Sequence, residues 1–151
     1  MHIIRPATAR DVDAIIVLCA EHAAYEGAAL TVCSEPALLH DALFAVPPRL
    51  WCLVVEARGK LVGYATYTLE FSTWQATDYL HVDCLYLQPP VRGAGIGAGV
   101  MDRIAVHAQA LGCDEIQWQT PAWNVRAMRF YDRLGALRTE KFRYRWRPER
   151  A

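Results

Sequence analysis

Leu85-Tyr86-Leu87-Gln88-Pro89-Pro90-Val91-Arg92-Gly93-Ala94-Gly95-Ile96-Gly97-Ala98 reads as a strand that passes through a glycine-rich turn into a helix. Upstream, Tyr79 to Leu87 is a run of strand formers; downstream, Ile96, Val100, Ile104 and Ala108 recur at helical spacing up to a stop at Gly112. A plain strand-to-helix turn needs one glycine, and this one has three. Without Cβ atoms the backbone can approach a ligand closely and aim consecutive N–H groups at one point, where the helix N-terminus adds its positive dipole end. Arg92, at the mouth, adds a fixed cation with a planar donor fork. The segment is a cradle for a pyrophosphate.

Two well-known phosphate loops are set aside. A Walker loop ends in Lys-Ser or Lys-Thr, and neither dipeptide occurs in the chain. Gly93-x-Gly95-x-x-Ala98 fits the dinucleotide fingerprint, with Asp114 or Glu115 about 20 residues on. In that fingerprint the glycines follow the strand at once, whereas here Gln88 to Arg92 intervene, and the remaining chain is too short for a second Rossmann half.

Working outward, His2 to Arg5 is a short strand, and Thr8-Ala9-Arg10-Asp11 resembles a capping box that opens a helix with Val12, Ile15, Ile16 and Cys19 on one face. Ser34 or Glu35, followed by Pro36, opens a second helix ending near Pro47. Trp51–Ala57 and Lys60–Leu69 form a hairpin about Arg58-Gly59. Glu115 to Thr120 is a strand, Val125 to Leu134 a helix ended by Gly135, and Phe142-Arg143-Tyr144-Arg145-Trp146 alternates as a final strand. The order is β-α-α-β-β-β-α-β-α-β, a mixed α/β chain whose 151 residues suit one domain.

Sixteen basic residues balance sixteen acidic ones, so no overall field points to nucleic acid or an anionic membrane. The five cysteines are widely spaced, lack a C-x-x-C pair and read as buried thiols in a reducing compartment, not as metal ligands. The N-terminus carries no signal-peptide pattern, and no apolar run is long enough to span a membrane; the expectation is a cytoplasmic protein.

Arg92-Gly93-Ala94-Gly95-Ile96-Gly97 resembles the R/Q-x-x-G-x-G/A acyl-coenzyme A loop of the GNAT acetyltransferases. Asn124-Val125-Arg126-Ala127-Met128-Arg129-Phe130-Tyr131-Asp132-Arg133-Leu134-Gly135-Ala136 resembles the second signature of that superfamily, and Ile4-Arg5-Pro6-Ala7-Thr8 with Asp11 its opening. The resemblance covers essentially the whole chain. It implies the GNAT fold, a largely antiparallel mixed sheet of about six to seven strands with helices on both faces. It also implies acetyl-coenzyme A as cosubstrate, no metal, and transfer of an acetyl group to an amine by direct attack. Tyr25-Glu26, Phe71-Ser72-Thr73-Trp74 and Trp123-Asn124 are similar to the spermidine/spermine and thialysine acetyltransferase group. That group has an acidic pair in its fourth strand; here Asp83 takes the first position and Cys84 replaces the second.

The chemistry demands a base. An alkyl ammonium near pKa 10 is about 0.1% neutral at pH 7, an obstacle of roughly 4 kcal/mol to attack on a thioester. By the strand period of two, His81, Asp83, Leu85 and Leu87 point to one face. Asp83 takes the amine proton directly or through a water, with His81 the alternative base. Splaying of Leu85-Tyr86-Leu87 from the next strand, which the resemblance implies, frees backbone N–H groups for the thioester carbonyl and pantetheine. Tyr131 is the candidate acid for the departing sulfur. Asn124 reads as an N-cap, as a pantetheine contact with Ala127, or both. Tyr25, Glu26, His81, Asp83 and Trp118 are expected on the amine side. Small amines lead as acceptors, and a protein N-terminus or lysine stays open. A binding module of a different class, sensing acyl-coenzyme A without catalysis, also stays open. Phe142, Tyr144 and Trp146 read as core or as a homodimer interface.

Overall fold

The computed structural model describes residues 1–28 and 35–149, so Cys33, the Ser34 alternative for a helix cap and most of the Gly27–Cys33 loop lie outside the described residues. The chain divides into two compact units, Met1–Gln119 and Thr120–Ala151.

The first unit is built on one five-stranded sheet in the spatial order β1-β2-β3-β4-β5: His2–Pro6, Trp51–Ala57, Lys60–Ser72, Thr77–Leu87 and Ile116–Trp118. The first four strands pair antiparallel, and β5 pairs parallel to β4. The β2–β3 turn is the expected two-residue one, with φ of 50° at Arg58 and 73° at Gly59; such a turn matches the strand twist. The helices α1 (Val12–Tyr25) and α2 (Pro36–Phe44) follow β1, and α3 (Ile96–Ala110) links β4 to β5. Glu35 is the N-cap position of α2 and Pro36 opens it, since a missing N–H costs nothing there. The helix stops at Phe44, short of Pro47.

Residues paired across an antiparallel ladder share a face of the sheet. On one face, Ile15 and Leu18 of α1 and Leu43 of α2 pack with Cys52, Val54, Tyr64 and Tyr86. Leu18 therefore takes the core position expected of Cys19, which packs beside it half-buried. On the other face, Tyr67 bonds to His107 of α3 at 2.9 Å, and Trp51, paired with Tyr67, meets the same histidine edge-on. The sheet thus carries helices on both faces.

The entry to α1 is held by charge. Asp11 is buried and its carboxylate accepts the Thr8 backbone N–H (2.7 Å) and hydroxyl (2.9 Å), the expected capping arrangement before a short 3-10 turn. Arg5 grips the same carboxylate through both terminal nitrogens (2.8 and 3.0 Å) and Glu56 through Nε and Nη2 (3.1 and 2.9 Å). The Arg5 guanidinium holds the Asp11 carboxyl at about 2, below its ordinary value.

The second unit contains α4 (Val125–Arg133), and Asn124 caps it, its side-chain oxygen accepting the Ala127 N–H at 3.2 Å. The expected final strand over Phe142–Trp146 does not form, so the sheet has five strands where six to seven were expected. A strand exists only when paired, and this unit holds no second strand among its described residues.

Candidate active site

The β4 strand decides the geometry. Val82 pairs with Tyr67 and Cys84 with Thr66, which leaves Asp83 as the extra residue of a β-bulge. The bulge reverses the alternation. Val82, level with Tyr67, faces α3, whereas Cys84 and Tyr86, level with Thr66 and Tyr64, face α1. His81 therefore does not share a face with Leu85 and Leu87, contrary to the simple period of two. Asp83 itself is exposed, and His81 is half-buried between Thr68 and Gln117.

The parallel pairing of β5 covers only Leu80, His81 and Val82, with Trp118 opposite Val82. From Asp83 onward, the β5-side edge of β4 has no sheet partner among the described residues, so Leu85, Tyr86 and Leu87 are paired to β3 alone. Parting of the strands begins at the bulged carboxylate.

Past β4, a 3-10 turn at Pro89–Val91 leads through Arg92, Gly93 and Ala94 to Gly95, the N-cap of α3. Gly95 has φ of 77° and Gly93 82°, left-handed values that L side chains rarely adopt, and a Cβ on either would meet nothing within 4 Å. As a glycine, Gly95 has no side chain with which to cap this helix. The N–H groups of Ile96, Gly97 and Ala98 precede the bond from the Gly99 N–H to the Gly95 carbonyl at 3.2 Å and have no acceptor within the helix, while the Ile96 side chain is buried in the core. Backbone donors at a dipole end, beside the exposed Gly93, Ala94 and Gly95, fit a pyrophosphate.

Arg92 is fixed differently from a free cation at a loop mouth. Its Nε–H donates to the Leu87 carbonyl at 2.7 Å, and its guanidinium lies over the rings of Tyr25 (4.8 Å) and Tyr86 (5.5 Å). This ties the cradle to the end of α1, where Tyr25 and Glu26 stand. Tyr86 is buried there, its hydroxyl donating to Glu21 at 3.3 Å, and the Gln88 amide donates to both Glu21 oxygens.

The Acetyltransferase (GNAT) family matches residues 17–136. The chain belongs to this family. The bovine (Bos taurus) thialysine N-epsilon-acetyltransferase is 36% identical over 142 residues, 88% of this chain and 82% of that protein. The human (Homo sapiens) spermidine/spermine N(1)-acetyltransferase-like protein 1 is 31% identical over 143 residues, 89% of this chain but 20% of that protein. Among solved structures, an aminoglycoside acetyltransferase from an uncultured soil metagenomic sample superposes with a TM-score of 0.83 at 16% identity, covering 99% of each chain. That last likeness concerns the fold. The chain is thus a GNAT acyltransferase with a mixed α/β fold.

In this GNAT chain the expected site residues fall into two groups. Tyr25, Glu26, His81, Asp83, Leu85, Tyr86, Leu87, Trp118 and the Arg92–Ala98 loop lie in the first unit, around the parting strands and the adjoining end of α1. Asn124, Ala127 and Tyr131 lie in the second, where the Tyr131 ring is 5.1 Å from Phe130 on α4. The residue that the sequence reading passed over is His22. It stands one turn before Glu26 on α1, and that i,i+4 spacing was the available signal. Burial pushes the Cys84 thiol up to about 11 and that of Cys52 to about 12, so neither is poised as a nucleophile. No described helix is long and apolar enough to cross a membrane.

Proposed function

We propose that the two units act as one acetyltransferase domain that moves the acetyl group of acetyl-coenzyme A to a primary amine of a small molecule. One observation carries the reading: β5 leaves β4 at Val82, immediately before the bulged, exposed Asp83, and the N-terminus of α3 follows the same strand. A carboxylate, freed strand edge and anion cradle therefore stand in sequence along one path.

Acetyl-coenzyme A, when bound, supplies the activated thioester. The N–H groups at Gly95 to Ala98 bind the pyrophosphate, with Arg92 adding positive charge beside them. The unpaired edge of Leu85 to Leu87 offers backbone donors to the pantetheine amides and to the thioester carbonyl, where negative charge develops. Asp83 attracts the substrate ammonium and accepts its proton, directly or through a water, so that the neutral amine attacks. Tyr131 donates a proton to the departing sulfur, and Asn124 and Ala127 contact the cofactor at the start of α4. Relatives named for thialysine and for spermidine/spermine support a small amine acceptor. In this reading the enzyme works in the cytoplasm as a homodimer; the nearly full exposure of Phe142, Tyr144 and Trp146, at 90%, 90% and 85%, favours a contact with a second copy.

Thiol release from acetyl-coenzyme A, followed with a panel of polyamines, diamines, amino acids and aminoglycosides, tests the proposal. Amine-dependent release is expected. Binding of acetyl-coenzyme A by calorimetry without release for any amine would instead make the chain a sensor of the cofactor.

A further inference from the structure

His22 occupies a position that neither the cradle nor the proton transfer uses. Its Nε2 lies 3.2 Å from Glu26 Oε2 and its Nδ1 2.9 Å from the hydroxyl of Tyr64. The imidazole stacks on Tyr86, with centroids 5.2 Å apart and planes at 19°, and meets Tyr64 edge-on. Its side chain is 14% exposed, against 31% for Glu26. A half-buried ring with both nitrogens engaged and one face covered is held in a single orientation.

The protons can be assigned. Tyr64 is almost wholly buried, and burial drives its hydroxyl pKa far up, so the phenol keeps its proton. The carboxylate of Glu26 is an acceptor only, so Nε2 carries the ring proton and donates it. Nδ1 then accepts from Tyr64, giving a directed chain from Tyr64 O–H through a neutral imidazole to Glu26. Burial is the chief influence lowering the His22 pKa; Glu26 and Asp83 oppose it and Arg92 reinforces it. The groups facing the ring are Glu26 from α1, Tyr64 from β3, Asp83 and Tyr86 from β4, and Arg92 from the loop.

We propose that His22 is a positioning residue for amine recognition: its Nε2–H fixes the Glu26 carboxylate as the anionic contact for the cation of the acceptor. This rests on the reading of Glu26 and Asp83 as the amine side of an acetyltransferase. The long-chain carboxylate of Glu26 would otherwise lose rotamer freedom on binding a cation, and the histidine removes that cost in advance. Only the neutral ring does this without adding charge. A protonated His22 would place a second cation beside Arg92 and repel the substrate, so amine affinity falls as pH drops through the His22 titration, below the ordinary histidine range. By linkage, bound amine must lower the His22 pKa.

The test uses 1,4-diaminobutane as probe. In His22→Phe the stacking ring remains and the donor is lost; the diamine KM is expected to rise about tenfold, with kcat and the acetyl-coenzyme A KM within twofold. His22→Gln restores an amide donor and should bring the diamine KM back near wild type while flattening its rise below pH 7. Proton NMR of the His22 ring in the wild-type protein provides a readout free of turnover: Glu26→Gln and saturating diamine should each lower its pKa. An unchanged diamine KM in His22→Phe, or a His22 titration indifferent to Glu26→Gln, would overturn the proposal. Failure of the function itself looks different: no diamine-dependent thiol release in wild type, and no diamine effect on the His22 titration, with the Glu26→Gln effect intact.

Discussion

Gly95→Ala separates the stability of the α3 N-terminus from its capacity to hold an anion. Gly95 sits at φ of 77°, and an added Cβ meets nothing within 4 Å, so the folded protein has no clash to relieve. The cost to folding is the left-handed backbone alone, about 1–2 kcal/mol. For a chain of this size, about 1 kcal/mol moves the melting temperature by roughly 2–4 °C, so a fall of about 2–8 °C is expected. Ligand binding should suffer more. The new methyl occupies open space at the helix mouth, where the pyrophosphate must come within hydrogen-bond reach of the Ile96 and Gly97 N–H groups. Each charge-assisted bond lost there is worth about 1.5–3 kcal/mol, or roughly ten- to a hundredfold in Kd. Gly95→Asn is the control, because asparagine tolerates the left-handed region: its melting temperature should recover part of the loss while its cofactor Kd does not. Calorimetric titration with acetyl-coenzyme A, well below both melting points, measures the one effect without the other. A Kd within twofold of wild type in both variants would refute the cradle.

The proton-handling assignments make opposed predictions. Asp83→Asn should lower turnover at neutral pH and recover part of it toward pH 10, where more amine is already neutral; an unchanged pH–rate profile would move the base role to His81 or to a water. Tyr131→Phe keeps the ring beside Phe130, and its turnover should fall about a hundredfold, a slowed enzyme because a thiol near pKa 8.5 leaves in part unaided. Asp11→Asn tests the α1 anchor. The Asp11 carboxyl is depressed from 3.8 to about 2, so its contribution is complete above pH 4 and is lost as pH falls to 2. Urea unfolding should therefore show a gap of about 2 kcal/mol between wild type and variant at pH 7 that closes toward pH 2, and a gap independent of pH would rule out the ion pair as its source.

Much of the architecture was legible because it depends on local signals. Thr8 with Asp11, Arg58-Gly59, Pro36 and Gly95 each mark an element boundary through a backbone constraint that acts within a few residues. Two features were hidden for a different reason: they depend on pairing. Phe142, Tyr144 and Trp146 alternate as a strand does, but alternation describes a side-chain pattern and says nothing of a partner edge, which the second unit lacks among its described residues. The bulge at Asp83 was masked by the two-sided burial of the sheet. Val82 faces α3 while Cys84 and Tyr86 face α1, yet all three are apolar or aromatic, because both faces are covered. A strand with one wet face would have shown the reversal as a break in its polar pattern.

The bulge also accounts for how one short strand can serve both ends of the site. Were β4 regular, Tyr86 would stay on the face of Val82 and turn toward α3, and the stack with His22 and the contact with Arg92 would be lost. Because the bulge takes up Asp83 outside the pairing, Tyr86 faces α1, where its ring supports Arg92 from the cradle side and His22 from the amine side. The inserted residue is Asp83, exposed next to the point where β5 ends its pairing. Deleting Asp83 would remove the proposed base together with its bulge and leave Cys84 and Tyr86 level with Thr66 and Tyr64 on the α1 face, whereas Asp83→Asn keeps the bulge and removes only the charge. Both variants should therefore keep Tyr86 beside Arg92 and bind acetyl-coenzyme A much as the wild type does while losing turnover at neutral pH; cofactor binding weakened by the deletion alone would show that the bulge acts on the cradle by more than the facing of Tyr86.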